Sequence, residues 1–171
     1  MTSATRIYER RWQMLAVLSL SMMIIGLDNT IVNVALPAIQ TDLGFDTANL
    51  QWVINGYTLL FGGFLLLGGR AADLFGRKKL FLIGITLFTT SSLLVGLSSS
   101  QETLILFRAL QGLGAALVSP AALSIITTTF AEGAERTKAL AAWGAIAASG
   151  SAFGLLLGGV LTEAFSWPFI F

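Results

Sequence analysis

Five stretches of mostly apolar residues, each roughly 20 to 25 long, follow one another along this chain, and each can cross a hydrocarbon core of about 30 Å as a helix. Lipid offers no hydrogen-bond partners, so each stretch must satisfy its own backbone. The alternating pattern of barrel strands is missing, which leaves an all-α integral membrane fold. Composition agrees: 55% of the residues are apolar and 11% are charged, against about 25% charged in an ordinary soluble domain.

The expected helices cover residues 12–36, 50–69, 80–97, 102–126 and 138–161, behind a tail at residues 1–11. Arg6, Arg10 and Arg11 ahead of the first block resemble a secretory signal. The block is too long for a signal core, carries Asp28 and is followed by further spans, so it reads as an uncleaved helix. Basic residues fall in the tail, between the second and third helices (Arg70, Arg77, Lys78, Lys79) and between the fourth and fifth (Arg136, Lys138). The other two connections hold only Asp42, Asp46 and a run of serines. By the positive-inside rule the N terminus is cytoplasmic, in a multi-pass inner-membrane protein. The final stretch from Ser166 to Phe171 reads as the approach to a further helix, so the chain is expected to be the front part of a longer bundle.

The chain has no cysteine and no histidine. That removes disulfides, thiol chemistry and imidazole metal ligation, and no cofactor, metal or enzymatic nucleophile is expected. Net charge is only +1. The Arg77-Lys78-Lys79 cluster sits between two spans, where topology explains it and nucleic acid does not.

Charge inside a span is costly, about 2.5 to 3.5 kcal/mol on insertion scales, so Asp28 and Arg108 demand an account. Counting inward from Pro37 and Glu102 places them at about 13 and 9 Å depth, close enough to pair. Gln111, Gly112, Ala115 and Ser119 follow Arg108 on one helical face, while Asn29 and Asn33 are one turn apart beside Asp28. Two such strips are expected to enclose a water-accessible cavity, with Trp52 and Tyr57 suiting a small amphipathic compound, cationic ones included. Asp28 is the one carboxylate well inside a span and the natural proton site. Arg108 opposes its protonation, so their separation tunes proton affinity; a purely structural ion pair is the alternative.

In the fifth helix, Gly150, Gly154 and Gly158 recur every four residues, with Gly159 adjacent, a spacing that lets another helix approach closely. Between the second and third helices, Asp73 stands near the start of a helix it can cap, and Gly76 supplies a turn.

Four segments together resemble the major facilitator superfamily, in its fourteen-helix drug/proton antiporter branch. Leu27-Asp28-Asn29-Thr30-Ile31-Val32-Asn33-Val34-Ala35-Leu36-Pro37 matches the helix-1 signature L-D-x-T-I-V-N-V-A-L-P throughout. Gly69, Ala72, Asp73, Gly76, Arg77 and Lys78 match G-x-L-A-D-R-x-G-R-K, with Ala71 and Leu74 where Leu and Arg are usual. Arg108 to Ala116 matches R-x-x-Q-G-x-G-A-A, associated in the family with proton transfer. Gly154, Gly158 and Gly159 resemble the antiporter motif G-P-x-x-G-G, with Leu155 in place of proline, and the segment from Trp167 to Phe171 resembles W-R-W-I-F with Pro168 for Arg.

The resemblance implies a drug-type efflux antiporter working by alternating access, with protons moving inward as substrate leaves and the Gly69–Lys78 motif acting as a cytoplasmic latch. It also implies that transport needs helices of a second bundle. The competing reading is a truncated, non-transporting helical module that associates with partner helices through its glycine face.

Overall fold

The computed structural model describes residues 3–171, with side chains from Arg10 onward. Met1 and Thr2 of the expected tail, and the side chain of Arg6, lie outside the described residues. Six α-helices and a short 3-10 turn follow in order: α1 Ser3–Leu43, α2 Thr47–Leu50, α3 Trp52–Phe75, α4 Arg77–Gly96, α5 Gln101–Thr129, α6 Ala134–Ala164 and the turn Trp167–Ile170. Among the described residues, five segments are long and apolar enough to span a membrane: Arg10–Leu43, Thr47–Phe75, Arg77–Gly96, Gln101–Thr129 and Ala134–Ala164.

The helices overrun the apolar blocks, and two expectations change. The segment expected as a tail is helical from Ser3. The second membrane helix continues through Arg70 and Asp73 to Phe75, because Ala71, Ala72 and Leu74 are strong helix formers. The connection to α4 is therefore Gly76 alone, at φ 96°, a conformation that glycine adopts without steric cost. Asp73 sits in the last turn of α3 and does not cap α4, whose N-cap is Gly76 with no side-chain bond. At the opposite end Asp46 caps α2 through the Asn49 amide at 2.7 Å, and that bond holds its carboxyl below the ordinary carboxylate value.

α5 forms the centre, packed along α3 on one side and α4 on the other, while α1 pairs along its length with α6. Small residues make these approaches possible. A Cβ on Gly114 would stand 2.6 Å from the Phe88 amide of α4, and one on Gly112 would collide with the Tyr57 carbonyl of α3. On α6, a Cβ on Gly154 would stand 2.7 Å from the Leu27 carbonyl and one on Gly158 would stand 3.0 Å from Ile31, both on α1, whereas Gly159 faces open space. The stripe Gly150, Gly154, Gly158 is thus buried inside the chain's own α1–α6 seam.

Direction alternates from one membrane-spanning segment to the next. At one end Arg11 pairs with Glu135 at 3.2 Å and Trp12 meets Phe130 edge-on at 5.3 Å. At the other, Gln101 donates to the carbonyls of Leu43 and Gly44 at 3.1 and 2.9 Å, and the Trp167 indole donates to Asp42 at 2.8 Å. Apart from Arg108, the described Lys and Arg residues all belong to the first end, as the helix order requires.

Two apolar clusters fill the interior. One gathers Leu15, Leu18, Phe88, Val118 and Phe130 toward the basic end. The other gathers Ile39, Phe45, Val95, Leu104 and Trp167 toward the acidic end.

Candidate functional site

Between these clusters lies a thin polar layer. Arg108 of α5 is 1% exposed, Asp28 of α1 is 6% exposed, and Gln111 of α5 is fully buried. One helical turn places Arg108 and Gln111 on the same face of α5, and the crossing of α1 brings Asp28 against both. Arg108 Nη1 donates to Asp28 Oδ2 at 2.7 Å and to Gln111 Oε1 at 2.7 Å, while Gln111 Nε2 donates to Asp28 Oδ1 at 2.7 Å. The three side chains close a ring in which each carboxylate oxygen has its own donor. Arg108 Nε donates to the Val53 carbonyl of α3 at 3.2 Å, so the guanidinium ties three helices together.

Aromatic faces complete the enclosure. The Arg108 guanidinium lies 4.5 Å from the Tyr57 ring centre and 5.8 Å from that of Phe171. A cation against a ring face in a desolvated site is stabilised by the ring quadrupole. Ionic hydrogen bonds and stacking together offset the desolvation of two buried charges, which no surface pair would require. Chemically, this layer holds one anion and one cation in direct contact, and the cation has further partners in the Val53 carbonyl, the Gln111 amide and the Tyr57 ring.

The structure distributes the expected cavity residues differently from two facing polar strips. Gln111 and Tyr57 are buried in the ion-pair enclosure. The Ser119 hydroxyl is half-buried and donates to the Ala115 carbonyl of its own helix at 2.9 Å. Asn29 and Asn33 lie exposed on another face of α1, where Asn33 donates to the Asn29 carbonyl at 2.7 Å. Trp52 is exposed on α3 beside Asn55, Thr58, Leu59 and Gly63, in an open groove of about 480 Å³. The correction has a plain cause: Asn29 is about 100° around α1 from Asp28, so one side chain reaches α5 while the other points away.

Sequence reasoning missed the Val53 carbonyl, which no side-chain motif signals, and the approach of Phe171, which arrives from a turn outside any helical period. Of the residues expected to form a latch, Gly69 is half-buried against Pro120 and Lys78 is exposed. Arg77 and Asp73 approach to 3.7 Å, both substantially exposed, a geometry worth less than about 1 kcal/mol.

Five apolar helices with one charged pair buried at the crossing of the first and fourth spans define a multi-pass helical membrane protein. The Major Facilitator Superfamily profile matches residues 18–171, and the chain belongs to that family. It is 51% identical over 158 residues to the puromycin resistance protein pur8 of Streptomyces alboniger, covering 92% of this chain and 31% of that protein. It is 52% identical over 140 residues to the cephamycin export protein CmcT of Amycolatopsis lactamdurans, covering 82% of this chain and 29% of that one. Among solved structures, a bacterial homolog to the human lysosomal transporter Spinster, crystallised inward-facing and occupied, superposes with a TM-score of 0.78 at 25% identity over 90% of this chain and 33% of that one. The chain thus spans about a third of the length of the curated relatives it matches.

Proposed function

We propose that the chain is the N-terminal portion of a proton-coupled small-molecule efflux antiporter of the fourteen-helix type, non-enzymatic and set in the inner membrane with its N terminus in the cytoplasm. The observation that carries this reading is the buried Asp28–Arg108–Gln111 ring, sealed between two apolar clusters at the meeting of α1, α3 and α5. Protonation of Asp28 removes the anion that faces Arg108. The guanidinium then keeps only neutral partners: the Val53 carbonyl, the Gln111 amide and the Tyr57 ring. Because an uncompensated buried charge is strongly unfavourable, the α1–α5 contact is biased toward a different arrangement, which is the coupling an antiporter needs. Names of the relatives support a drug-type substrate, and the exposed Asn29 and Asn33 of α1 and Trp52 of α3 are the residues we assign to it, facing helices of a second bundle.

The competing reading, a module that recruits partner helices through its glycines, loses its surface because Gly150, Gly154 and Gly158 already face α1.

The test is a chimera joining residues 1–171 to the remainder of the Streptomyces alboniger puromycin resistance protein. In energised everted vesicles it should release protons when puromycin is added, and the 171-residue chain alone should not. Silence from a correctly inserted chimera, or robust release from the chain alone, would contradict the proposal. Orientation is checked separately, since the chain contains no cysteine. In intact cells Asp46→Cys should react with a membrane-impermeant maleimide and Lys78→Cys should not; the opposite pattern would invert the topology.

A further inference from the structure

Three basic residues, Arg77, Lys78 and Lys79, open α4. α4 begins at Arg77 with no side-chain cap, and the first amide to find a helical acceptor is Leu80, which donates to Gly76 at 3.1 Å. The amides of Arg77, Lys78 and Lys79 are left without intrahelical acceptors at the positive end of the helix dipole. Arg77 is drawn toward Asp73, but Lys78 and Lys79 form no ion pair among the described residues.

Beside these groups lies an open groove of about 590 Å³ bounded by Gly76, Arg77, Lys78, Lys79, Leu82 and Ile83. Its mouth is cationic and its wall apolar, with Leu82 50% and Ile83 46% exposed. Arg77 opens the membrane-spanning segment, so the mouth stands at headgroup level and the wall runs into the hydrocarbon. A soluble anion would use only the mouth. A diacyl lipid with a negative headgroup uses both.

We infer that this groove is a binding site for an anionic phospholipid, its phosphate held by Lys78, Lys79 and the open amides and one acyl chain lying along Leu82 and Ile83. The inference needs only that α4 crosses the bilayer and does not depend on the transport reading.

Native mass spectrometry of the purified 171-residue chain from equimolar phosphatidylglycerol and phosphatidylcholine tests it. Phosphatidylglycerol should be retained in preference by on the order of tenfold, as two lysines near a charged headgroup imply. Lys78→Gln with Lys79→Gln should bring the ratio near unity, and Lys138→Gln, an exposed lysine at the same end but outside the groove, should leave it unchanged. Equal retention of the two lipids by the wild-type chain would overturn the inference without any variant having to fold. So would a preference that survives the double replacement, or one lost equally in Lys138→Gln, which would mean diffuse attraction. Inorganic phosphate in millimolar excess should not displace the lipid; displacement would assign a soluble-anion site instead.

Discussion

Arg108→Leu should destabilise the folded chain by about 3–5 kcal/mol, the cost seen when one partner of a buried ion pair is removed. Asp28 would lose its Nη1 donor at 2.7 Å and Gln111 its own donor at 2.7 Å, while the Val53 carbonyl would lose the Arg108 Nε donor at 3.2 Å. Leucine restores none of these bonds. Asp28→Asn combined with Arg108→Leu should therefore recover part of the loss, because no buried charge remains. Unfolding of purified chains in mixed micelles, followed by helical circular dichroism, gives the four corners of that cycle. A double variant whose loss equals the sum of the two single losses would mean that the pair contributes no coupling.

Gly154→Val should be comparably damaging for an unrelated reason. A Cβ at that position meets the Leu27 carbonyl at 2.7 Å and collides with the Thr30 hydroxyl, so α1 and α6 must separate. Overpacking typically costs about 1–3 kcal/mol, and a clash against backbone belongs at the upper end because a main-chain atom has no rotamer to change. Gly159→Val is the internal control: nothing lies within 4 Å of its Cβ, and its effect should stay within about 0.5 kcal/mol. The same unfolding assay separates them. Equal effects at the two positions would mean that the stripe does not set the α1–α6 distance.

Some of this architecture was legible before any coordinates. The membrane spans follow from block length, because only a helix satisfies the backbone in lipid, and the meeting of Asp28 with Arg108 follows from residue counting, although α1 runs on past Pro37 to Leu43. What could not be read was which helix lies against which. Periodicity assigns Gly150, Gly154 and Gly158 to one face of α6, yet nothing in their spacing selects α1 as the neighbour. Likewise the face of α5 carrying Gln111 could line a cavity or close on a partner, and the choice depends on how α1 crosses it. Tyr57 was noticed as an aromatic residue suited to substrate, whereas its ring stacks on Arg108. The 2/3 connection was misread because apolar content marks where the bilayer ends, while helix propensity carries α3 beyond that boundary to Gly76.

These two sources of rigidity frame the proposed mechanism. The α1–α6 seam is held by backbone approach and cannot respond to a proton, while the α1–α5 contact is held at its centre by the one charged ring buried among the described residues. A change of charge at Asp28 is therefore felt at the second contact and not the first. Motion driven by protonation should carry α1 and α6 together relative to α3, α4 and α5.

The most direct measurement is substrate-induced proton release by the chimera carrying Asp28→Asn, in energised everted vesicles, with its membrane level matched to that of the parent. Asparagine keeps the size and much of the hydrogen bonding of the side chain but cannot exchange a proton, so release on adding puromycin should be abolished while the protein remains inserted. Proton release equal to that of the parent chimera would contradict the account and leave the Asp28–Arg108 ring a structural pair.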